Sequence, residues 1–125
     1  TPGVGFASGL ERIILLMREQ KIAVPPLPQP QILVVTHGDD AKVAGVNLVA
    51  AWRERETGAL LAFGDRSLRS QLREANRAGV RYAVIIAEQE LAGDYATVRD
   101  MMSGEQWNVP LAETVEEIRA RLASK

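Results

Sequence analysis

The chain contains no cysteine. That absence removes thiol nucleophiles, CxxC redox chemistry, cysteine-ligated zinc and iron–sulfur clusters together, and no disulfide compartment is implied. Histidine occurs once, as His37, and a lone histidine proposes no metal cluster. Long apolar runs are also missing. Tyr82 to Ala87 is the longest and Ile13 to Met17 is among the next, far short of the roughly 20 residues of a bilayer-spanning helix, so no membrane partner is expected. Neither sign of charge dominates: 15 Lys plus Arg face 16 Asp plus Glu, for a net charge of -1. This argues against a protein that holds nucleic acid mainly by non-specific phosphate attraction. No basic-then-apolar leader opens the chain. Since its first residue is Thr1, the expectation is a chain that was processed or that starts inside a longer polypeptide.

What is present fits one soluble globular domain. The 125 residues are 46% hydrophobic and 25% charged, with 10 Gly and 6 Pro, which excludes disordered and collagen-like chains. A domain of this length buries about two-thirds of the surface its unfolded chain exposes, so it needs no metal or disulfide staple. Charge is segregated along it. Residues 64–81 carry five Arg against Asp65 and Glu74, whereas residues 82–125 carry four cations against eight acids. Arg outnumbers Lys twelve to three, a bias that fits phosphate or base recognition by a planar fork of donors and fits genomic base composition equally.

The apolar periodicity lays out the elements. Leu10, Ile13, Ile14 and Met17 repeat at helical steps, predicting a helix to about Gln20 after a short strand or turn. Four prolines within residues 25–30 forbid a helix or a central strand and predict a stiff, extended linker. Gln31 to Thr36 reads as a strand. His37-Gly38-Asp39 then turns the chain and offers Asp39 as an N-cap for a helix from Asp40 to about Glu56. Ala59 to Phe63 is a second strand, Ser67 to Arg77 a second helix stopped by Gly79, and Arg81 to Ala87 a third strand. Three buried strands alternating with two helices predict a parallel sheet with right-handed crossovers. Tyr95 to Met101 and Glu105 to Val109 read as a hairpin across Met102-Ser103-Gly104. Pro110 precedes a last helix from Leu111 to Ala123. The fold class is α/β, a five-stranded mixed sheet with three flanking helices, preceded by an N-terminal helix.

Few residues suggest chemistry. Ser8 fails the nucleophile-elbow pattern, because Phe6 stands where Gly is required and Gly9 comes one residue early. Gly3, Gly5 and Gly9 fit no phosphate loop. His37 ends the first strand, where ligands bind in open α/β sheets, although a lone loop histidine is more often a polar turn residue. Arg66, Arg69, Arg73 and Arg77 recur at helical steps opposite Leu68, Leu72 and Ala75, making either a phosphate-facing stripe or a solvated helix face. Glu88 and Glu90 follow the third strand, and Arg99 lies on the first hairpin strand. Carboxylates accept from exocyclic base amines and Arg donates to base edges or phosphate, while solvated turn groups are the plainer reading.

The chain resembles the carboxy-terminal portion of the histidyl-tRNA synthetases, a class II family. Gly5-Phe6-Ala7-Ser8-Gly9-Leu10-Glu11-Arg12 is similar to the third class II signature in its histidyl form, GFAxGxER. Leu68 to Arg81 is similar to that family's anticodon-domain helix, Ala83-Val84-Ile85-Ile86-Ala87-Glu88-Gln89-Glu90-Leu91 to its following strand and turn, and Ser103-Gly104-Glu105-Gln106 to its hairpin. The chain departs at Ala87, where the family has Gly, at Asn76, where it has Asp, and at Ser70, where it has Lys.

The resemblance implies the tail of a catalytic domain in residues 1–24, a Pro-rich linker in 25–30 and a class IIa anticodon-binding domain in 31–125. It implies a role for Arg12 and Gly9 as remnants of an ATP site, with ATP and magnesium used only by an intact, cytoplasmic, homodimeric enzyme and no chemistry in this stretch. It further implies that Glu90, Glu88, Arg99, Arg66, Arg69 and Arg73 face RNA, the anticodon stem-loop of the histidine tRNA. Two alternatives remain open: a synthetase-like regulatory subunit of ATP phosphoribosyltransferase, which binds a protein partner and no RNA, and a stand-alone interaction module with residues 1–24 as a helical cap.

Overall fold

The two continuous apolar runs become the centre of a sheet. In a computed structural model, which describes residues 2–124, β1 (Ile32–Thr36) and β3 (Tyr82–Ile86) lie side by side, parallel, from Ile32 opposite Tyr82 to Thr36 opposite Ile86. Every residue of both strands is buried. Strands covered on both faces need no polar alternation, which is why these sequences read as unbroken apolar runs. β2 (Ala59–Leu61) pairs parallel with β1, and the antiparallel strands β4 (Tyr95–Asp100) and β5 (Gln106–Pro110) extend the sheet beyond β3, giving the order β2-β1-β3-β4-β5. The expected mixed sheet of five strands and the N-terminal helix are both present.

Helices cover the two faces unequally. On one face, Ile32, Val34, Tyr82, Val84, Ile86 and Val98 meet Leu48, Val49 and Trp52 of α2 (Asp39–Glu54) and Val115 and Ile118 of α5 (Thr114–Ala123). The Trp52 indole N–H donates to the Val115 carbonyl at 3.3 Å, tying the two helices together. α2 lies close because Gly45 faces the sheet: a Cβ there would stand 2.9 Å from the side chains of Leu61 and Thr36. On the other face, Leu33, Val35, Ala83 and Ile85 are covered by α3 (Leu68–Ala78) through Leu68, Leu72 and Ala75. α3 is bounded as its sequence predicts. The Ser67 hydroxyl accepts from the Ser70 N–H at 3.3 Å, and Gly79 closes the helix at φ 66°.

Several boundaries differ from expectation. α2 begins at Asp39 itself, after Gly38 at φ 98°, so Asp39 occupies the first turn and supplies no cap. β2 is three residues long, and after the Ala62 N–H donates to Val34 the chain leaves the sheet, exposing Phe63. A 3₁₀ turn over Leu111–Glu113 delays α5 to Thr114. A short helix not anticipated from sequence, α4 (Glu88–Ala92), follows β3, with Leu91 packed against the larger core cluster. α1 (Leu10–Glu19) forms where expected, and none of its residues is buried. Residues 23–31 adopt no regular structure, and their end is seated by the Gln31 N–H, which donates to the Gly58 carbonyl at 2.8 Å. Thr1 and Lys125, the outer limits of the expected units, lie outside the described residues.

Candidate nucleic-acid interface

β4 and β5 show one face to the core and the other to solvent. Ala96, Val98 and Asp100 of β4 are buried, whereas Tyr95, Thr97 and Arg99 stay half-buried on the side that α3 occupies over β1 and β3. The register sets Thr97 opposite Asn108 and Arg99 opposite Gln106, and both β5 partners are exposed. On the other side of β5, Trp107 meets the Tyr82 ring edge to face at 6.1 Å, beneath the Arg121 guanidinium at 4.2 Å. The bare face therefore carries one cation, two amides, the Thr97 hydroxyl and the ring and hydroxyl of Tyr95. Arg99 adds a further demand: its Nε is shielded from solvent with no hydrogen-bond partner among the described residues.

α4 borders this array. The Glu90 carboxylate spans two elements: Oε2 accepts from the Ala87 N–H and Oε1 from the Thr97 hydroxyl, each at 3.1 Å. Glu90 thus closes the first turn of α4 in the manner of a capping box and fastens the helix to β4. Glu88 is exposed.

The carboxyl ends of β1 and β3 form the point from which the chain departs toward opposite edges of the sheet, to β2 from the one and to β4 from the other, the position at which open α/β sheets place ligand sites. His37 is exposed there, and its backbone N–H donates to the Ile86 carbonyl at 3.1 Å, prolonging the ladder by one residue. Beneath it, Gln71 of α3 is fully buried. Its amide accepts from the Thr36 N–H at 3.0 Å and donates to the carbonyls of Thr36 and Arg66, both at 2.7 Å. The side chain takes the place of a strand where β2 has ended, and fixes both the exit of β1 and the entry to α3.

Lys42 bridges Asp39 and Asp65 across the same end of the sheet. The hydrogen bond to Asp65 raises the Lys42 pKa, and the same bond lowers that of Asp65. At the hairpin end, burial pushes the Asp100 carboxyl up, but the N–H groups of Met102 and Ser103 and the Arg81 guanidinium outweigh it and hold the pKa below its ordinary value.

Placed in this frame, the residues predicted from sequence separate. Arg69 and Arg73 are exposed on α3, as is Arg77, and among the described residues no ion pair engages them. Arg66 is not on the helix: it precedes the N-cap Ser67 and lies 3.5 Å from Glu74. Glu90 and Arg99 reach the β4–β5 face. Gly9 and Arg12 sit at the exposed start of α1. Exposed on a helix with no buried residue, these two side chains by themselves supply neither the shielding nor the carboxylates that an ATP or magnesium site requires. No group of three or more His, Asp or Glu among the described residues is placed to hold a metal. Sequence reasoning overlooked Thr97, Gln106, Asn108 and Gln71. The alternation Gln106-Trp107-Asn108-Val109, polar on one side and apolar on the other, carried the signal for two of them.

An α/β sheet whose antiparallel edge bears an uncovered polar face, beside a helix lined with exposed arginines, has the donors and acceptors that base edges and phosphates call for. Residues 31–121 match the family model described as "Anticodon binding domain", and the chain belongs to that family. Histidine--tRNA ligase of Dehalococcoides mccartyi is 37% identical over 122 residues, covering 98% of this chain and 29% of the relative. Among solved structures, histidyl-tRNA synthetase from Nostoc sp. PCC 7120 superposes with a TM-score of 0.70 at 31% identity, covering 91% of this chain and 28% of that one. Apo S. aureus histidyl-tRNA synthetase gives 0.68 at 28% identity, covering 86% and 32%. The chain therefore spans less than a third of the length of the proteins it matches.

Proposed function

We propose that this chain is the anticodon-reading part of a histidine–tRNA ligase, and that residues 31–125 bind the anticodon stem-loop of the histidine tRNA. The bare polar face of β4 and β5 carries the reading. Unpaired bases are recognised by splaying them out and meeting their edges with hydrogen-bonding side chains, and a row of Arg, Gln, Thr and Asn supplies both donors and acceptors. Arg69 and Arg73 supply phosphate contacts that position the RNA without reading it. Glu88 remains available to accept from a base amine, while Glu90 acts chiefly by holding α4. The near-zero net charge suits a domain whose selectivity rests on such edges.

The proposal extends to organisation. Residues 1–24 are the end of a catalytic domain whose remainder lies in the longer, cytoplasmic, homodimeric enzyme, and residues 25–30 are the linker. Activation of histidine with ATP and magnesium belongs to that remainder. The matched ligases support this reading and lend nothing to the regulatory-subunit alternative. Titration of the chain with the histidine anticodon stem-loop and with one of scrambled anticodon, at several salt concentrations, tests it. Tighter binding of the first at every salt concentration is expected, and equal binding of both would overturn the reading.

A further inference from the structure

We propose that Asn108 is a specificity-determining residue of this surface, its amide turned one way by a hydrogen-bond chain that starts at the Ala87 backbone and runs through Glu90 and Thr97. The inference rests on the anticodon-reading function and assigns part of it to a side chain on the outermost strand.

A single proton decides the orientation of the Asn108 amide. The Thr97 hydroxyl stands 3.1 Å from Glu90 Oε1 and 3.1 Å from Asn108 Oδ1, yet a hydroxyl has one hydrogen to give. Hydrogen bonds to an ionised carboxylate are roughly twice as strong as those between neutral groups. The proton therefore goes to Glu90, whose orientation is already fixed by the Ala87 N–H at 3.1 Å. Thr97 Oγ1 is left with lone pairs only. An Asn108 oxygen facing it would be repelled, whereas the amide turned over places Nδ2 there and donates. The two ends of an amide are interchangeable in shape, so the hydrogen-bond chain decides between them.

The consequence lies on the exposed side. With one N–H committed to Thr97, Asn108 presents its oxygen and its other N–H outward, an acceptor beside a donor. That pair matches a base edge carrying a donor next to an acceptor. The opposite orientation would present two donors and suit a different edge. Arg99 and Gln106, the next pair along the strands, extend the same polar surface. Glu90 is thus a positioning residue acting through Thr97, and Asn108 the one that touches the base.

Binding of the chain to stem-loops substituted singly at each anticodon position provides the test. Asn108→Ala is expected to cut discrimination at one position by roughly 5- to 150-fold and to leave the others unchanged. Because Asn108 is exposed on an edge strand, the fold does not depend on it, and Asn108→Ser serves as a second variant. Glu90→Gln carries the sharper expectation. Its amide oxygen keeps the Ala87 bond and its nitrogen donates to Thr97, which releases the Thr97 proton to Asn108 Oδ1 and turns the amide over. The preferred base at that position should change rather than merely weaken. NMR of the Asn108 side-chain amide in the free chain gives an RNA-independent readout: Thr97→Val should shift the hydrogen-bonded amide proton and leave the backbone fingerprint intact. A chain that discriminates as wild type at every position after Asn108→Ala, or that loses affinity equally for all stem-loops, overturns the assignment. A wild type without any preference overturns the anticodon-reading function as well, a result told apart by the absence of discrimination before any substitution.

Discussion

The three parallel strands and the two antiparallel ones divide the labour of a single sheet. β1 and β3 are buried at every position, whereas β4 alternates between buried and half-buried, and only Val109 of β5 is fully covered. β1 and β3 have helices on both faces, so their side chains have no surface left with which to meet a partner. The antiparallel half is covered on one face and holds its other face out. Stability and recognition are thereby assigned to neighbouring strands, joined through the Tyr82–Ile86 strand that both share.

The division can be broken most severely in the parallel half. Ile86→Ala removes a fully buried side chain from the larger core cluster and should cost about 2–5 kcal/mol. Urea unfolding would report it as a lower midpoint, and RNA preference should persist in whatever fraction remains folded. Gln71→Met is the next largest. It retains volume but strands the Thr36 N–H and two carbonyls that Gln71 now pairs. A loss of about 1–3 kcal/mol is expected, with faster exchange of the Thr36 amide as its local signature.

Acid should act on the hairpin end. Folding lowers the Asp100 pKa, so the unfolded chain binds that proton more tightly than the native one. The resulting stabilisation is complete above the ordinary carboxylate pKa of about 3.9 and drains away as pH falls from there through the native value. The Met102 and Ser103 amides, bonded to Asp100, should therefore lose exchange protection below that pH, and Asp100→Asn should flatten the dependence.

The gentlest comparison sets two arginines against each other. Arg99→Ala should relax preference among stem-loops by about 1–3 kcal/mol, whereas Arg69→Ala should weaken every RNA alike and lower the salt slope by about one. Identical behaviour of the two variants would erase the distinction between reading and positioning that the two surfaces imply.

Much of the parallel half was legible in the sequence, because its signals are local. Gln31 to Thr36 and Arg81 to Ala87 are apolar runs of strand length, and the limits of α3 are written in Ser67 and Gly79. α4 was not legible. Five residues make little more than one turn, and what holds them is Glu90 reaching Thr97 and Leu91 reaching the core, neither visible in a five-residue window. Asp39 misled for a related reason: Gly38 at φ 98° sets the turn, so the acidic residue after it falls inside the helix. In the site, Glu90 and Arg99 stood out by their places after the third strand and on the hairpin, and the family resemblance implied that they face RNA, but their division of roles depends on which hydrogen bonds each already makes. Asn108 and Gln71 depend on partners 11 and 35 residues away, distances at which periodicity says nothing.

The sheet also ends in two ways that bear on its company. β2, at one border, is three residues long, and β5, at the other, closes on Pro110, which has no N–H to offer. Unpaired strand borders template the addition of further strands from other chains, and brevity and proline are two means by which proteins blunt them. A domain that keeps half a sheet face bare for a partner runs this hazard more than one wrapped on all sides. Both borders here discourage growth of the sheet by another copy of the chain, so the bare face can stay open without inviting fibrillar self-association.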